Sequence, residues 1–192
     1  QNVGQKSVGQ RFSAAAADSG FPQERISALL EDRDGNIWIG TLHGPGLYRF
    51  EAQQNVGRQN VGQQCTLLFP ELAVNALLED RDGNIWIAAQ TGLYRFDAQR
   101  NVGQRNVARQ LTRFTNEDGL AHNQVTAMLE DAEGALWFGT GSYGLGEGIS
   151  RYTGNQMTTF TTADGLPHEN VGAILEDREG QLWFENGYYD GK

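Results

Sequence analysis

Apolar and polar residues alternate along short stretches of this chain, and each stretch stops at a turn that contains glycine. The stretch 26–31, for example, leads through Asp34-Gly35-Asn36 into a second apolar stretch, 36–40. Period-two alternation is typical of a half-buried strand, and glycine adopts the positive φ that a tight turn between strands requires. The pattern therefore predicts β-hairpins. Their strand pairs cover residues 26–31 and 36–40, 74–79 and 85–88, 125–130 and 136–140, and 171–176 and 182–185.

Each hairpin carries a copy of one tryptophan-containing segment. LLEDRDGNIWIGT, at residues 29–41, returns as LLEDRDGNIWIAA, MLEDAEGALWFGT and ILEDREGQLWFEN. The tryptophans of these copies, separated by 48, 51 and 46 residues, are Trp38, Trp86, Trp137 and Trp183. A repeat of about 40 to 50 residues is typical of one blade of a β-propeller.

Two more strands are predicted after each hairpin. Third strands are expected at 46–50, 92–96 and 148–152, and fourth strands at 66–69, 111–114 and 157–160, with a counterpart around Phe12. Four short antiparallel strands per repeat are the content of a propeller blade. The sequence therefore predicts an all-β fold in which residues 1–192 form a β-propeller or a piece of one. The repeats are anchored at 26–50, 74–96, 125–152 and 171–189.

The order of motifs within a repeat resembles the two-component regulator propeller repeat. An Asp-Gly-Leu-Pro loop precedes an apolar strand that ends in Glu-Asp, followed by a glycine turn and then LWFGT; the fullest match runs from Asp164 to Trp183. Two copies depart from the pattern, with Ala88-Ala89 in place of Gly-Thr and with Glu185-Asn186 at the end of the last copy. The resemblance implies an extracytoplasmic sensor region of a regulatory protein that recognises a ligand, with carbohydrates among the candidates.

Three segments rich in Gln, Asn and Gly interrupt the repeats, at residues 1–10, 54–64 and 99–110. They are of low complexity, and two of them stand where the third repeat has only the short turn 153–156. The sequence favours surface insertions that lengthen a loop at small entropic cost. A role in peptide recognition or aggregation is the alternative.

The number of blades is left open by the sequence. Three full blades are predicted, together with partial blades at 171–189 and around Phe12, which could join and close a four-bladed ring. The resemblance implies about seven blades, so a fragment of a longer array or the association of two copies is the favoured interpretation. An open arc would expose apolar flanks around Trp183 and Phe184 at one end and at 37–39 at the other.

Composition excludes several classes of function. With 39% hydrophobic residues in 192, the chain can build a core. A net charge of -9 opposes nucleic-acid binding, and no apolar run is long enough to span a bilayer. The N-terminus lacks the pattern of a signal peptide, so the periplasmic or extracellular location is implied by the resemblance alone. Cys65, the single cysteine, has no partner for an internal disulfide or a thiolate metal site.

The loops between the second and third strands, and between one blade and the next, are predicted to share one face of the propeller. Ligands usually bind where such loops surround a concavity. All three histidines of the chain fall in these loops. The candidate ligand-binding residues are His43, His122, Asn123, Tyr143, His168 and Glu169.

Three motifs could carry more specific chemistry. The carboxylates of Glu31-Asp32-Arg33-Asp34 could bind calcium, but a solvated hairpin turn is favoured. The same segment is similar to the Gly-x-x-Trp half of a sialidase Asp-box, with the aspartate one residue out of register, at Asp32. A histidine metal site would need loops of adjacent blades to converge. The tryptophans could stack on sugars, yet their constant place in the second strand favours packing between blades.

The sequence therefore favours a binding or sensing module. No nucleophile motif, phosphate loop or singled-out carboxylate pair is found, so no catalytic residue, metal ligand or cofactor is assigned. The expected partners are a small molecule or glycan, and either further blades of a longer propeller or a second copy. Two alternatives stay open: a propeller enzyme of lyase or glycosidase type, and a structural scaffold that binds no small molecule.

Overall fold

The computed structural model describes residues 22, 24–43, 46–51, 65–97, 111–141 and 147–186, and within them the fold is built from antiparallel β-sheets. In each sheet the strands follow chain order, so that every strand pairs with its sequence neighbour. The first sheet contains β1 (Ile26–Glu31), β2 (Ile37–Thr41), β3 (Leu47–Phe50) and β4 (Cys65–Phe69), and the second contains β5 (Val74–Glu79), β6 (Ile85–Ala89), β7 (Gly92–Phe96) and β8 (Leu111–Phe114). The third contains β9 (Val125–Glu130), β10 (Leu136–Thr140), β11 (Ile149–Thr153) and β12 (Gln156–Phe160), and the fourth contains β13 (Val171–Glu176) and β14 (Leu182–Asn186).

These sheets confirm the predicted all-β fold of propeller blades. The four predicted hairpins are present, with strand ends within one residue of those expected. The register explains the local pattern, since Leu30 pairs with Trp38 in the first blade just as Leu78 pairs with Trp86 in the second. The predicted strand around Phe12, the third strand of the last repeat and the inserts 1–10, 54–64 and 99–110 lie outside the described residues.

Neighbouring blades share hydrophobic cores, each formed by the tryptophan face of one sheet and the opposite face of the next. Trp86 is fully buried, and its ring centroid lies 5.3 Å from that of Phe138 and 5.4 Å from that of Tyr152 in the following blade. Trp38 contacts the second blade in the same way, 5.1 Å from Phe96. An arginine of the third strand lies over each ring: the guanidinium carbon of Arg49 is 5.8 Å from the Trp38 centroid, and that of Arg95 is 5.7 Å from the Trp86 centroid.

The predicted burial of the tryptophans holds only where a further blade follows. Trp38 and Trp86 are 1% and 0% exposed and Trp137 is half-buried, but Trp183 is 56% exposed. No described residue packs on its outer side as the next blade does on the other three. The apolar flank expected around Trp183 is therefore present.

The flank expected at 37–39 was placed on the wrong strand. Trp38 and Ile39 are each only 1% exposed, because Trp38 packs into the core shared with the second blade and Ile39 packs with Tyr48 and Cys65. The exposed apolar residues of the first blade lie instead on β1, where Ile26 is 45% and Leu29 is 57% exposed, and on β4, where Leu67 is 41% exposed.

Candidate ligand-binding loop face

Strand order places two sets of loops at opposite ends of the blades. The β1–β2, β5–β6, β9–β10 and β13–β14 turns lie at one end, which we call the turn end. The loops after β2, β6 and β10, and the connections from one blade to the next, lie at the other end, which we call the loop face. This arrangement follows from antiparallel neighbours and agrees with the faces expected from the sequence.

Two interblade connections on the loop face have the same structure. Each begins with a short 3-10 turn, Asn116–Asp118 or Thr162–Asp164, that is closed by a capping box between a threonine and an aspartate three residues later. The turn ends at Gly119 or Gly165, with φ of 93° and 99°. Residues other than glycine rarely adopt this left-handed backbone conformation. Each connection therefore needs a glycine directly after the aspartate that closes its capping box.

The two predicted histidines of these connections hold the backbone of their own loops. His122 Nδ1 accepts a hydrogen bond of 3.1 Å from the Gln124 amide, and His168 Nδ1 accepts one of 3.1 Å from the Asn170 amide. Each ring is half-buried. Accepting at Nδ1 leaves the proton of a neutral ring on Nε2, so the loop fixes the tautomer as well as the orientation of each imidazole.

The residue after each histidine fastens the end of the loop to its beginning. Asn123 Oδ1 accepts a hydrogen bond of 2.9 Å from the Asn116 amide. Glu169 Oε1 accepts one of 2.8 Å from the Thr162 hydroxyl. Asn123 and Glu169 therefore close their loops in the same way with different side chains. In the second loop the side chain is a carboxylate at the surface.

An open depression of about 430 Å³ lies between the two connections. Its wall is attached to the third blade by hydrogen bonds from the Ala121 amide to Ser150 Oγ (2.8 Å) and from Thr159 Oγ1 to the Gly119 carbonyl (2.7 Å). Two carboxylates, one amide and two threonines face apolar carbon in this depression. The lining residues are Asn116, Gly119, Leu120, Ala121, Glu147, Thr159, Thr161 and Glu169.

The structure brings one of the six predicted residues, Glu169, into this depression. His122, Asn123 and His168 lie in the connections that form its walls, where they hold the loops as described above. His43 is exposed in the loop after β2, in the first blade, away from the depression. Tyr143 lies outside the described residues.

Other lining residues were not singled out from the sequence. Asn116 and Glu147 fall in loops that were assigned to the candidate face, but nothing distinguished them from their neighbours. Thr159 lies in β12, and Thr161 directly follows that strand. Both line the depression because β12, the fourth strand of the third blade, runs beside the connection that enters this blade. The signal available in the sequence is the alternation of β12, which places Thr159 and Thr161 on one side of the strand.

At the turn end, the acidic motif Glu31-Asp32-Arg33-Asp34, a candidate for calcium binding, forms the hairpin turn. Asp32 accepts hydrogen bonds from the Asp34 and Asn36 amides at 3.1 and 2.8 Å, and from the Trp38 indole Nε1 at 2.8 Å. The indole bond returns in every repeat, at Asp80, Asp131 and Asp177, with lengths of 2.6 to 2.7 Å. These bonds occupy the carboxylate and support the hairpin-turn interpretation.

The electrostatics of these turn aspartates differ with their surroundings. Burial by itself would raise the pKa of Asp131, but hydrogen bonds from Trp137, Ala135 and Glu133 outweigh burial and lower it below its ordinary value of 3.8. The hydrogen bond from Trp183 is the main reason that the pKa of Asp177 is lowered. At Asp131 and Asp177 the hydrogen bonds of the turn therefore favour the ionised carboxylate.

Within the described ranges, no three histidine, cysteine or acidic side chains gather closely enough to hold a metal ion. In the same ranges no helix has the length and apolar character needed to cross a bilayer.

Comparison with protein families identifies the repeats. The model of the two component regulator propeller family matches residues 20–43, 69–91, 119–142 and 165–184. The matched segments contain the four Glu-Asp turns and all four tryptophans. Among proteins of curated function, none matches the sequence of this chain.

Solved structures of other proteins share the fold. The extracellular domain of the hybrid two component system BT3049 from B. thetaiotaomicron is similar over 88% of this chain and 21% of its own length, with 21% identity and a TM-score of 0.62. The extracellular domain of BT4673 from the same organism is similar over 84% of this chain and 22% of its own length, with 21% identity and a TM-score of 0.56. Virginiamycin B lyase from Staphylococcus aureus is similar over 83% of this chain and 48% of its own, with 18% identity and a TM-score of 0.56. The chain thus spans about a fifth of the length of the first two proteins.

Proposed function

The repeats of this chain belong to the two component regulator propeller family, and on that premise we propose that the chain forms blades of an extracellular ligand-sensing propeller in a regulatory protein. The observation that carries the proposal is the depression on the loop face, which is lined by residues of the connections entering the third and fourth blades. Loops held by rigid strands around a concavity are where propellers and similar scaffolds bind ligands. An extracellular location is supported by the two similar B. thetaiotaomicron domains, both described as extracellular.

The lining suits a small neutral molecule rich in hydroxyl groups, such as an oligosaccharide. Glu147 and Glu169 offer carboxylate acceptors, Asn116 offers an amide and the two threonines offer hydroxyls, while Leu120 and Ala121 offer a small apolar surface. Hydroxyl groups of a sugar can donate to carboxylates and accept from amides. An anionic ligand is disfavoured, since two carboxylates line the depression and the chain carries a net charge of -9.

A thermal-shift screen of neutral oligosaccharides tests the proposal, because a ligand that binds only the folded state raises the melting temperature. For an oligosaccharide that raises it, we expect Glu169→Ala and Glu147→Ala to weaken binding at least about tenfold in calorimetry. Glu117→Ala is the matched control: Glu117 is an exposed glutamate of the same loop face that does not line the depression. Equal affinities for all three variants would place the site elsewhere.

Recognition and catalysis are separated by recovering the bound sugar. Incubation of the screened oligosaccharides with the protein, followed by mass analysis, is expected to return each of them unchanged. A cleaved or eliminated product would instead support the enzyme alternative. We expect His122→Ala and His168→Ala to weaken binding as well, since each ring holds the backbone of a loop that walls the depression.

A further inference from the structure

An arginine of the first blade joins it to the second at the turn end. Arg33 Nη2 donates to the Asp80 carbonyl at 2.8 Å, and Arg33 Nη1 donates to the Arg81 carbonyl at 2.5 Å. The Arg33 amide donates to Glu79 Oε2 at 3.0 Å, and Arg33 Nε lies 3.6 Å from Glu79 Oε1. We call this set of contacts the arginine latch: an arginine after the turn aspartate of one blade, bound to the Glu-Asp end of the next blade's first strand.

The latch is repeated at the second junction and is partly lost at the third. Arg81 donates to the carbonyls of Asp131 (2.7 Å) and Ala132 (2.9 Å), and its amide donates to Glu130 Oε2 (2.9 Å). At the third junction the corresponding residue is Ala132, so only the amide bond to Glu176 Oε2 remains, at 2.7 Å. The acceptor half of the latch is therefore kept even where the arginine is missing.

The fourth blade presents an arginine at the same repeat position, and none of the described residues binds its side chain. Arg178 is exposed, and it makes no hydrogen bond or ion pair with any residue that the structure describes. The apolar surface beside it is uncovered as well, with Leu175 at 62% and Trp183 at 56% exposure. The equivalent tryptophans of the first two blades are 1% and 0% exposed.

The first blade presents the other half of the same junction. Glu31 stands at the position of the latch acceptors Glu79, Glu130 and Glu176, is exposed, and has no partner among the described residues. Leu29 of the same strand is 57% exposed, whereas the equivalent Leu77 packs into the core shared with the blade before it. The first and fourth blades are thus complementary in charge, in hydrogen bonding and in apolar surface.

We propose that the fourth blade binds the first blade of a second copy of this chain, head to tail. Arg178 of one copy then latches to Glu31 and to the carbonyls of residues 32 and 33 of the second copy, and Trp183 packs beside its β1. The proposed contact continues the junctions already present between the blades. Such an interface uses different surfaces on the two partners, so it either closes into a ring or extends. The proposal does not depend on the proposed ligand.

The test is a pair of charge reversals, Arg178→Glu and Glu31→Arg, studied by sedimentation velocity over a range of concentrations. We expect the unaltered chain to self-associate, and each variant alone to associate at least about tenfold more weakly because like charges meet at the latch. A mixture of the two variants is expected to form a complex again, since one keeps Glu31 and the other keeps Arg178. Glu117→Arg is the control, since it makes the same charge change as Glu31→Arg but lies on the loop face. We expect it to leave association unchanged.

Three outcomes would overturn the proposal. The first is an unaltered chain that stays monomeric at every concentration. The second is a pair of variants that associate as tightly as the unaltered chain. The third is a mixture of the variants that forms no complex although both show the circular dichroism of the folded chain; both altered side chains are exposed, so folding is expected to survive.

Discussion

The bond between the turn aspartate and the tryptophan is the device that repeats most regularly along the chain, and Asp80→Ala tests what it contributes to stability. Asp80 is 5% exposed, and its carboxylate accepts from the Asp82 and Asn84 amides, from the Asn84 side chain and from Trp86 Nε1. Trp86 is fully buried at the junction of the second and third blades. Removing the carboxylate therefore leaves a buried indole N–H with no acceptor.

The expected loss follows from the number of donors and from their burial. An unsatisfied buried donor costs about 1 to 3 kcal/mol, and hydrogen bonds to a charged group are worth about 1.5 to 3 kcal/mol each. Water can reach the half-buried amides of the turn but not the indole, so we expect Asp80→Ala to lower the free energy of unfolding by about 3 to 5 kcal/mol. The free energy of unfolding of Asp80→Asn should lie between those of the unaltered chain and Asp80→Ala. The asparagine keeps one acceptor oxygen but turns an N–H group toward another donor.

Urea unfolding followed by tryptophan fluorescence and by circular dichroism measures this loss. Asp177→Ala is the matched control: Asp177 bonds to Trp183 Nε1 at 2.6 Å in the same turn, but Trp183 is exposed and its N–H can be hydrated. We expect the control to lose only a small fraction of what Asp80→Ala loses. Equal losses at the two positions would refute the reasoning that burial of the indole decides the cost.

Three further changes test the turn aspartate of the third blade, the arginine latch and one of the inserts. Because the pKa of Asp131 is lowered in the folded state, its contribution to stability is present above about pH 4 and is lost as the pH falls through the folded-state pKa; Asp131→Asn should flatten the acid limb of a stability profile, and an unchanged limb would contradict this. Ala132→Arg restores the arginine latch at the third junction and is expected to add about 0.5 to 1 kcal/mol in urea unfolding, whereas no gain would show that the latch is neutral. Trimming residues 54–64 to a four-residue turn is expected to leave the unfolding midpoint nearly unchanged, and a loss of several kcal/mol would show that the insert packs.

The hairpins could be predicted closely because their determinants are local. The alternation of β1 and the glycine of its turn lie within one stretch of sequence, so the strand Ile26–Glu31 was placed at its exact bounds. Burial was harder to predict, because it depends on what lies beside a blade. Trp38 and Trp183 occupy the same position in the repeat, yet one is 1% and the other 56% exposed.

The candidate site was predictable as a face and not as a set of residues. Sequence periodicity shows which loops share an end of the blades, and Glu169 was found in this way. It does not show that His122 and His168 use Nδ1 to hold their own loops, since this depends on the path of the backbone. Glu147 was missed because one glutamate in a loop carries no signal until neighbouring loops are placed beside it.

The two ends of the blades differ in what their residues do. At the turn end each repeat uses an aspartate to bind its own tryptophan, and two junctions add an arginine latch; these residues are therefore committed to the fold. On the loop face the backbone is fixed by threonine, aspartate and glycine. The position after the histidine differs between the two connections: Asn123 holds its loop, and Glu169 holds its loop and also lines the depression. The third junction lacks the arginine bonds of the latch, because Ala132 stands in place of arginine. The depression lies opposite it, between the connections that enter the third and fourth blades. A ligand bound there would contact both connections. It would therefore stabilise the third junction, which has no arginine latch at the turn end.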